Sequence, residues 1–74
     1  MPEAARELIE VGGIVRESLP DALFRVELEN EKRSVAVAHV AGGGGLLRLL
    51  PGDNVLVELH PYDMTRGRIV RKRI

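Results

Sequence analysis

The basic residues near the end of the sequence have the type and spacing that best suggest a chemical task. Residues 66–74 contain five bases and no acid: Arg66, Arg68, Arg71, Lys72 and Arg73. These bases occupy both faces of a predicted strand and its tail, so about half of them should project from one surface, where they can neutralise phosphates of a nucleic acid. The cluster therefore predicts a polyanion-binding end, although a basic tail can also serve only to keep a protein soluble.

The charges are unevenly distributed along a chain whose formal net charge is zero. Residues 1–31 carry eight acids and three arginines, a net of −5, whereas residues 32–74 carry eight bases and three acids, a net of +5. Two further residues join the candidate site: Arg48, which is alone among four leucines, and His39, on the outward face of a predicted strand. Positive charge gathered at one end can hold a polyanion there.

An enzymatic or metal-binding role finds little support in the residue types. The hydroxyl groups of Ser18, Ser34 and Thr65 lie in no nucleophile motif. His60 and Asp63 lie three residues apart, but without a third ligand we interpret them as caps of a surface turn. We therefore predict that the protein is not an enzyme and uses no metal or other cofactor. Because the chain has no cysteine, we expect a reducing, cytoplasmic location.

Alternation of apolar and polar residues predicts the elements that must position these side chains. The first four of five predicted segments place apolar residues or glycine at every second position, which is typical of strands with one buried face. The predicted inward residues of the first four strands are Val11, Gly13 and Val15; Phe24, Val26 and Leu28; Ala36, Ala38 and Val40; and Val55, Val57 and Leu59. The fifth predicted strand spans residues 66–72 and has Arg68, Val70 and Lys72 on one side. Turns are predicted at Leu19–Ala22 and at Pro51–Asp53, and a loop at residues 60–65.

Five short strands in 74 residues indicate one small all-β domain. The architecture that suits this length is the five-stranded Greek-key barrel of the OB fold, which binds nucleic acid or oligosaccharide on one face. We predict a flexible tail at residues 1–8, the domain at residues 9–73, and a mobile loop at Gly42–Gly45. No stretch is long and apolar enough to span a membrane, and a monomer is expected.

The aromatic residues indicate which class of nucleic acid we expect the protein to bind. Proteins that bind single strands usually stack several bases on aromatic rings. This chain has one Phe and one Tyr, and Phe24 alternates into the core, which leaves Tyr62. We therefore expect recognition of folded RNA through phosphates, riboses and shape.

Four runs of residues resemble bacterial translation initiation factor one, in order and nearly end to end over residues 9–73. They are Leu19–Asn30 (LPDALFRVELEN), Ala38–Val40 (AHV), Arg48–Val55 (RLLPGDNV) and Pro61–Val70 (PYDMTRGRIV). The resemblance implies an OB-fold domain that binds the small ribosomal subunit at the aminoacyl-tRNA (A) site. It also implies contacts with ribosomal RNA and a ribosomal protein, cooperation with the other two initiation factors, and RNA contacts at His39, Arg48, Arg66, Arg68 and Lys72.

The sequence departs from the family pattern between the second and third runs. Family members have a segment rich in Lys and Arg there, whereas this chain is shorter and reads Gly42–Leu46. The hairpin Asn30–Val35 is longer than usual and contains Lys32 and Arg33. Lys32 and Arg33 could restore some positive charge on a different loop, but the loss of the basic segment leads us to expect weakened ribosome affinity. Two alternatives remain open: an OB-fold module for another structured RNA, and a protein–protein adaptor.

Overall fold

Five strands form a closed barrel in the computed structural model, which describes residues 8–40 and 48–73. The strands are β1 (Ile9–Leu19), β2 (Leu23–Leu28), β3 (Val35–Val40), β4 (Asn54–His60) and β5 (Asp63–Arg73). Their order around the barrel is β1-β2-β3-β5-β4, and β4 pairs with β1 to close it. The β3–β5 pair is parallel and the other four are antiparallel. Closure removes the free strand edges that an open sheet of this size would expose.

Side chains from all five strands fill the barrel as the alternation predicts. Among the described residues, the buried apolar side chains are Val15, Val26, Leu28, Ala36, Ala38, Leu49, Val55, Val57, Leu59 and Ile69. Val11, Phe24 and Val40 pack against this core and are partly buried. Complete burial of a Val, Leu or Ile side chain contributes about 1.5–3 kcal/mol, so these positions supply most of the driving force for closure. The predicted inward faces of the first four strands are confirmed.

The first strand pairs with β4 over residues 9–14 and with β2 over residues 13–19, and it contains a bulge in the part that pairs with β2. Val15 lies opposite Val26 and Glu17 opposite Arg25, so Arg16 is the extra residue. Such an insertion bends the strand and increases its local twist. The β1–β2 turn at Pro20–Ala22 is the predicted one, and Asp21 and Ala22 adopt the left-handed conformation there (φ 64° and 58°).

The turn before β4 also forms where the sequence predicts it. Pro51 and Gly52 are its central residues, the backbone N–H of Asp53 donates to the carbonyl of Leu50 (3.0 Å), and Gly52 has φ 98°. A positive φ at the third residue is the requirement of a type II turn. Gly52 N–H also donates to Val15 O (2.7 Å), which fastens the turn to β1.

The fifth strand departs from the prediction in its start and in its register. It begins at Asp63, so residues 63–65 belong to the strand and not to a loop. His60 lies opposite Asp63 but Leu59 lies opposite Gly67, so β5 has extra residues between these pairs. A second bulge lies at Val70, because Ile69 is opposite Val57 and Arg71 is opposite Leu56. The prediction that Arg68, Val70 and Lys72 share one side is therefore wrong.

The predicted N-terminal tail and the predicted glycine loop fall largely or wholly on residues that the structure does not describe. The predicted tail lies there except for Leu8, which is exposed directly before β1, and so does the Gly42–Gly45 loop. Among residues 8–40 and 48–73, we find no helix with the length and apolar composition needed to cross a membrane.

Candidate nucleic-acid interface

An open groove on the outside of the barrel brings together three of the predicted site residues. The parallel pairing of β3 with β5 places His39 opposite Arg68 and Val37 opposite Arg66. On the other side of β5, Arg68 lies opposite Glu58 of β4. The groove has a volume of about 1120 Å³. It is lined by Leu8, Leu23, Val37, His39, Glu58, His60, Thr65, Arg66, Gly67 and Arg68.

The lining combines an apolar part with charged and polar groups. Leu8, Leu23 and Val37 supply aliphatic surface beside the two arginines. Gly67, between the arginines, has no room for a side chain, since an added Cβ would lie 2.6 Å from Leu59 Cδ2 and 2.9 Å from the carbonyl oxygen of Glu58. The glycine therefore lets the core of β4 pack directly beneath the part of β5 that carries both arginines.

The two groove arginines differ in their surroundings. Arg68 donates to Oε1 of Glu58 from Nε (3.1 Å) and also from Nη2. Arg66 is exposed and makes no salt bridge within residues 8–40 and 48–73. The groove thus offers one cation that is already oriented by a carboxylate and one whose charge faces solvent.

Asp63 caps the start of β5 beside the groove. The hydroxyl group of Thr65 lowers the pKa of Asp63 below its ordinary value of 3.8, and the backbone N–H of Thr65 (3.2 Å from Oδ1) lowers it further. The charges of Arg66 and His60 act on this pKa in the same direction. Hydrogen bonds to a carboxylate favour its ionised form, so Asp63 holds Thr65 in place down to acidic pH.

The other five predicted site residues do not line the groove. Arg48 is exposed before the Pro51–Gly52 turn, Tyr62 is 77% exposed at the β4–β5 hairpin turn, and Arg71 faces outward opposite Leu56. Lys72 and Arg73 form ion pairs with Asp53 (3.5 Å) and Glu29 (3.0 Å).

The acidic and basic halves of the sequence do not separate in space. Glu27 and Glu29, from the acidic half, pair with Arg33 and Arg73 from the basic half. Consequently the acidic and basic halves of the sequence are interleaved on the surface of the barrel.

Sequence reasoning missed Glu58 and His60 as groove residues. Both alternate with inward residues of β4, so their outward direction was available from the pattern. Their position beside Arg68 could not be predicted from the pattern. If β4 and β5 paired without bulges from His60 opposite Asp63, Thr65 would lie opposite Glu58. The extra residues of β5 replace Thr65 with Arg68 at that position.

Comparison with known proteins identifies the family. No family model matches the chain. The chain is similar to translation initiation factor one from the Wolbachia endosymbiont strain TRS of Brugia malayi, whose solution structure superposes with a TM-score of 0.71. The two sequences are 41% identical, and the match covers 97% of this chain and 84% of the other. Since both the sequence and the closed five-stranded barrel agree over nearly the whole length, the chain belongs to the family of bacterial translation initiation factor one, and its barrel is an OB fold.

Proposed function

We propose that this protein is a cytoplasmic translation initiation factor that binds the small ribosomal subunit at the A site. In this proposal the groove faces ribosomal RNA. Arg66 and Arg68 neutralise phosphates, and His39 donates a hydrogen bond or stacks against a base. The family relationship supports the role in initiation, and the groove supplies a surface suited to RNA.

The observation that carries the proposal is the parallel pairing of β3 with β5. This pairing sets His39 beside Arg68, with Arg66 two residues away on the same strand. Two guanidinium groups and an imidazole on one open surface match the recognition of folded RNA by its phosphates, riboses and shape. Tyr62 is the one exposed side chain of the Phe, Tyr and Trp type among the described residues, and this scarcity argues against stacking of a long single strand.

The proposed mechanism is occupancy rather than chemistry. The bound factor fills the A site, blocks premature entry of tRNA, contacts a neighbouring ribosomal protein and assists the other two initiation factors. A monomer suffices for this task, and no cofactor is required.

The remaining predicted residues take secondary roles in the proposal. Arg48, Tyr62 and Arg71 are exposed and are free to extend the interface beyond the groove. Lys72 and Arg73 must exchange Asp53 and Glu29 for phosphates, and this exchange reduces their net contribution to binding. Without the basic loop segment of the family, we expect a smaller salt dependence than that of a member that has it.

The proposal is tested by binding of the labelled protein to purified small subunits over a series of salt concentrations. The double variant R66A/R68A should bind more weakly, and its logarithmic salt slope should fall by about two, because two phosphate contacts are lost. The matched control is R16A/R33A, which removes the same charge from two arginines paired with Glu27 away from the groove. If the protein bound free structured RNA as tightly as it binds small subunits, the result would favour an OB-fold module for another structured RNA. If R66A/R68A did not change binding, the result would favour a protein–protein adaptor.

A further inference from the structure

Glu58 is an unexpected residue in a surface proposed to bind a polyanion. Among the described residues that line the groove, it supplies the one carboxylate. A negative charge there repels phosphate groups. It also lies opposite Glu10 of β1, a second like charge, on the side away from Arg68. The neighbouring negative charges are unfavourable for Glu58, whereas its salt bridge with Arg68 is favourable.

The contacts of Glu58 fix one edge of the Arg68 guanidinium. Nε and Nη2 of Arg68 both donate to Oε1 of Glu58. A guanidinium group carries five N–H donors in one plane, so three remain: both on Nη1 and the second on Nη2. Those three include the pair of parallel N–H groups at the end of the side chain, which bind a phosphate in a bidentate manner.

The side chains of Arg68 and Glu58 differ in their exposure. Glu58 is 18% exposed and anchored against the sheet, whereas Arg68 is 47% exposed. An arginine side chain loses considerable rotamer freedom when it binds, and a carboxylate that already restrains it removes part of that loss. Arg66 provides the contrast, because its partner on β3 is Val37 and no carboxylate is paired with it in the described part of the chain.

We propose that Glu58 is a positioning residue that holds Arg68 with its terminal N–H pair free for an RNA phosphate. This inference rests on the proposed function of the groove. Arg68 then recognises the geometry of one phosphate, while Arg66 contributes charge without a fixed direction.

The sign of one substitution effect separates positioning from simple charge compensation. Glu58→Gln removes a negative charge from the groove, so electrostatics alone predicts tighter binding to small subunits. Positioning predicts the opposite, a roughly threefold to tenfold loss of affinity that does not exceed the loss expected for R68A. In the double variant E58Q/R68A, binding should be no weaker than in R68A. The matched control is Glu27→Gln, which neutralises a carboxylate of similar exposure (23%) that pairs with Arg16 and Arg33.

A measurement on the free protein separates this inference from the function on which it rests. In ¹⁵N relaxation, the Nε–H group of Arg68 should be more ordered than that of Arg66. E58Q should reduce the difference, because an amide oxygen accepts a weaker hydrogen bond from a guanidinium group than a carboxylate does. The variant E58D, which keeps the charge but shortens the side chain, should also weaken binding and provides a second test if E58Q does not fold. Tighter binding by E58Q, or equal mobility of the two Nε–H groups in the unaltered protein, would overturn the inference. If ordered Arg68 is observed but the protein does not bind small subunits, the proposed function fails, and the phosphate-recognition part of this inference fails with it.

Discussion

Arg73, near the end of β5, forms an ion pair with Glu29, 44 residues earlier, across the outside of the barrel (Nη1 to Oε1, 3.0 Å). The pair passes directly over Gly12 of β1, where an added Cβ would lie 1.8 Å from Arg73 Nη1. Arg73 therefore connects the end of β5 to the β1–β2 pair.

The Arg73–Glu29 pair should contribute to stability more than to RNA binding. Both side chains are partly exposed, at 41% and 47%, so R73A should lower the free energy of unfolding by about 0.2–1 kcal/mol. Thermal unfolding at low and high salt measures this effect, which added salt should reduce. Unchanged stability together with a large loss of subunit binding would instead place Arg73 in the RNA interface, as the sequence pattern predicts.

Gly52 should be sensitive to any substitution that adds a side chain. Nothing lies within 4 Å of an added Cβ, so the effect of G52A comes from the backbone, which has φ 98°. We expect a loss of about 1–2 kcal/mol in the free energy of unfolding. G52N should lose less, because asparagine tolerates the left-handed region better than alanine. Equal stability of G52A and the unaltered protein in urea unfolding would contradict the type II turn.

Ala22 should respond in the opposite direction. It holds φ 58° in the β1–β2 turn, which is unfavourable for alanine, so A22G relieves strain there. Because glycine also gains entropy in the unfolded chain, the net stabilisation should not exceed about 1 kcal/mol. The control A38G alters a buried alanine of β3 and should destabilise. Destabilisation by A22G similar to that of A38G would be inconsistent with the left-handed turn.

The cap formed by Asp63 should depend on acid pH. Its pKa lies below 3.8 in the folded protein, so the folded state is stabilised at pH values above 3.8, and this stabilisation is lost as the pH falls through the lower, folded-state pKa. An NMR titration of the Asp63 carboxyl group measures the pKa directly. In T65V, which lacks the hydroxyl donor, the pKa should rise toward 3.8. A pKa at or above 3.8 in the unaltered protein would rule out the cap.

Alternation predicted the strand faces well because burial of one face is a local property of the sequence. Val55, Val57 and Leu59 point inward as expected, and His39 points outward. The number of predicted strands indicated the OB barrel, and the four matching runs indicated the family. The closed barrel and the comparison with a known family member confirm these two predictions.

The bulges could not be predicted, and the composition of the groove depends on them. The extra residues at Arg16, at Met64–Arg66 and at Val70 carry no local signal, because an insertion is defined by the partner strand and not by its own residue types. Because of these bulges, Glu58 lies opposite Arg68, and Lys72 does not share the outward face of β5 with Arg68. Long-range partners such as Glu29 and Arg73 are likewise set by closure of the barrel.

The central claim is that the β3–β5 groove faces ribosomal RNA at the A site, and photo-crosslinking tests it most directly. A benzophenone amino acid would replace His60, which lines the groove, or Glu31, which is exposed in the β2–β3 connection. After irradiation of each protein bound to small subunits, the crosslinked nucleotides are mapped. The account predicts crosslinks from position 60 to A-site ribosomal RNA, and fewer from position 31. Crosslinks to RNA from position 31 alone, or from position 60 to protein alone, would contradict it.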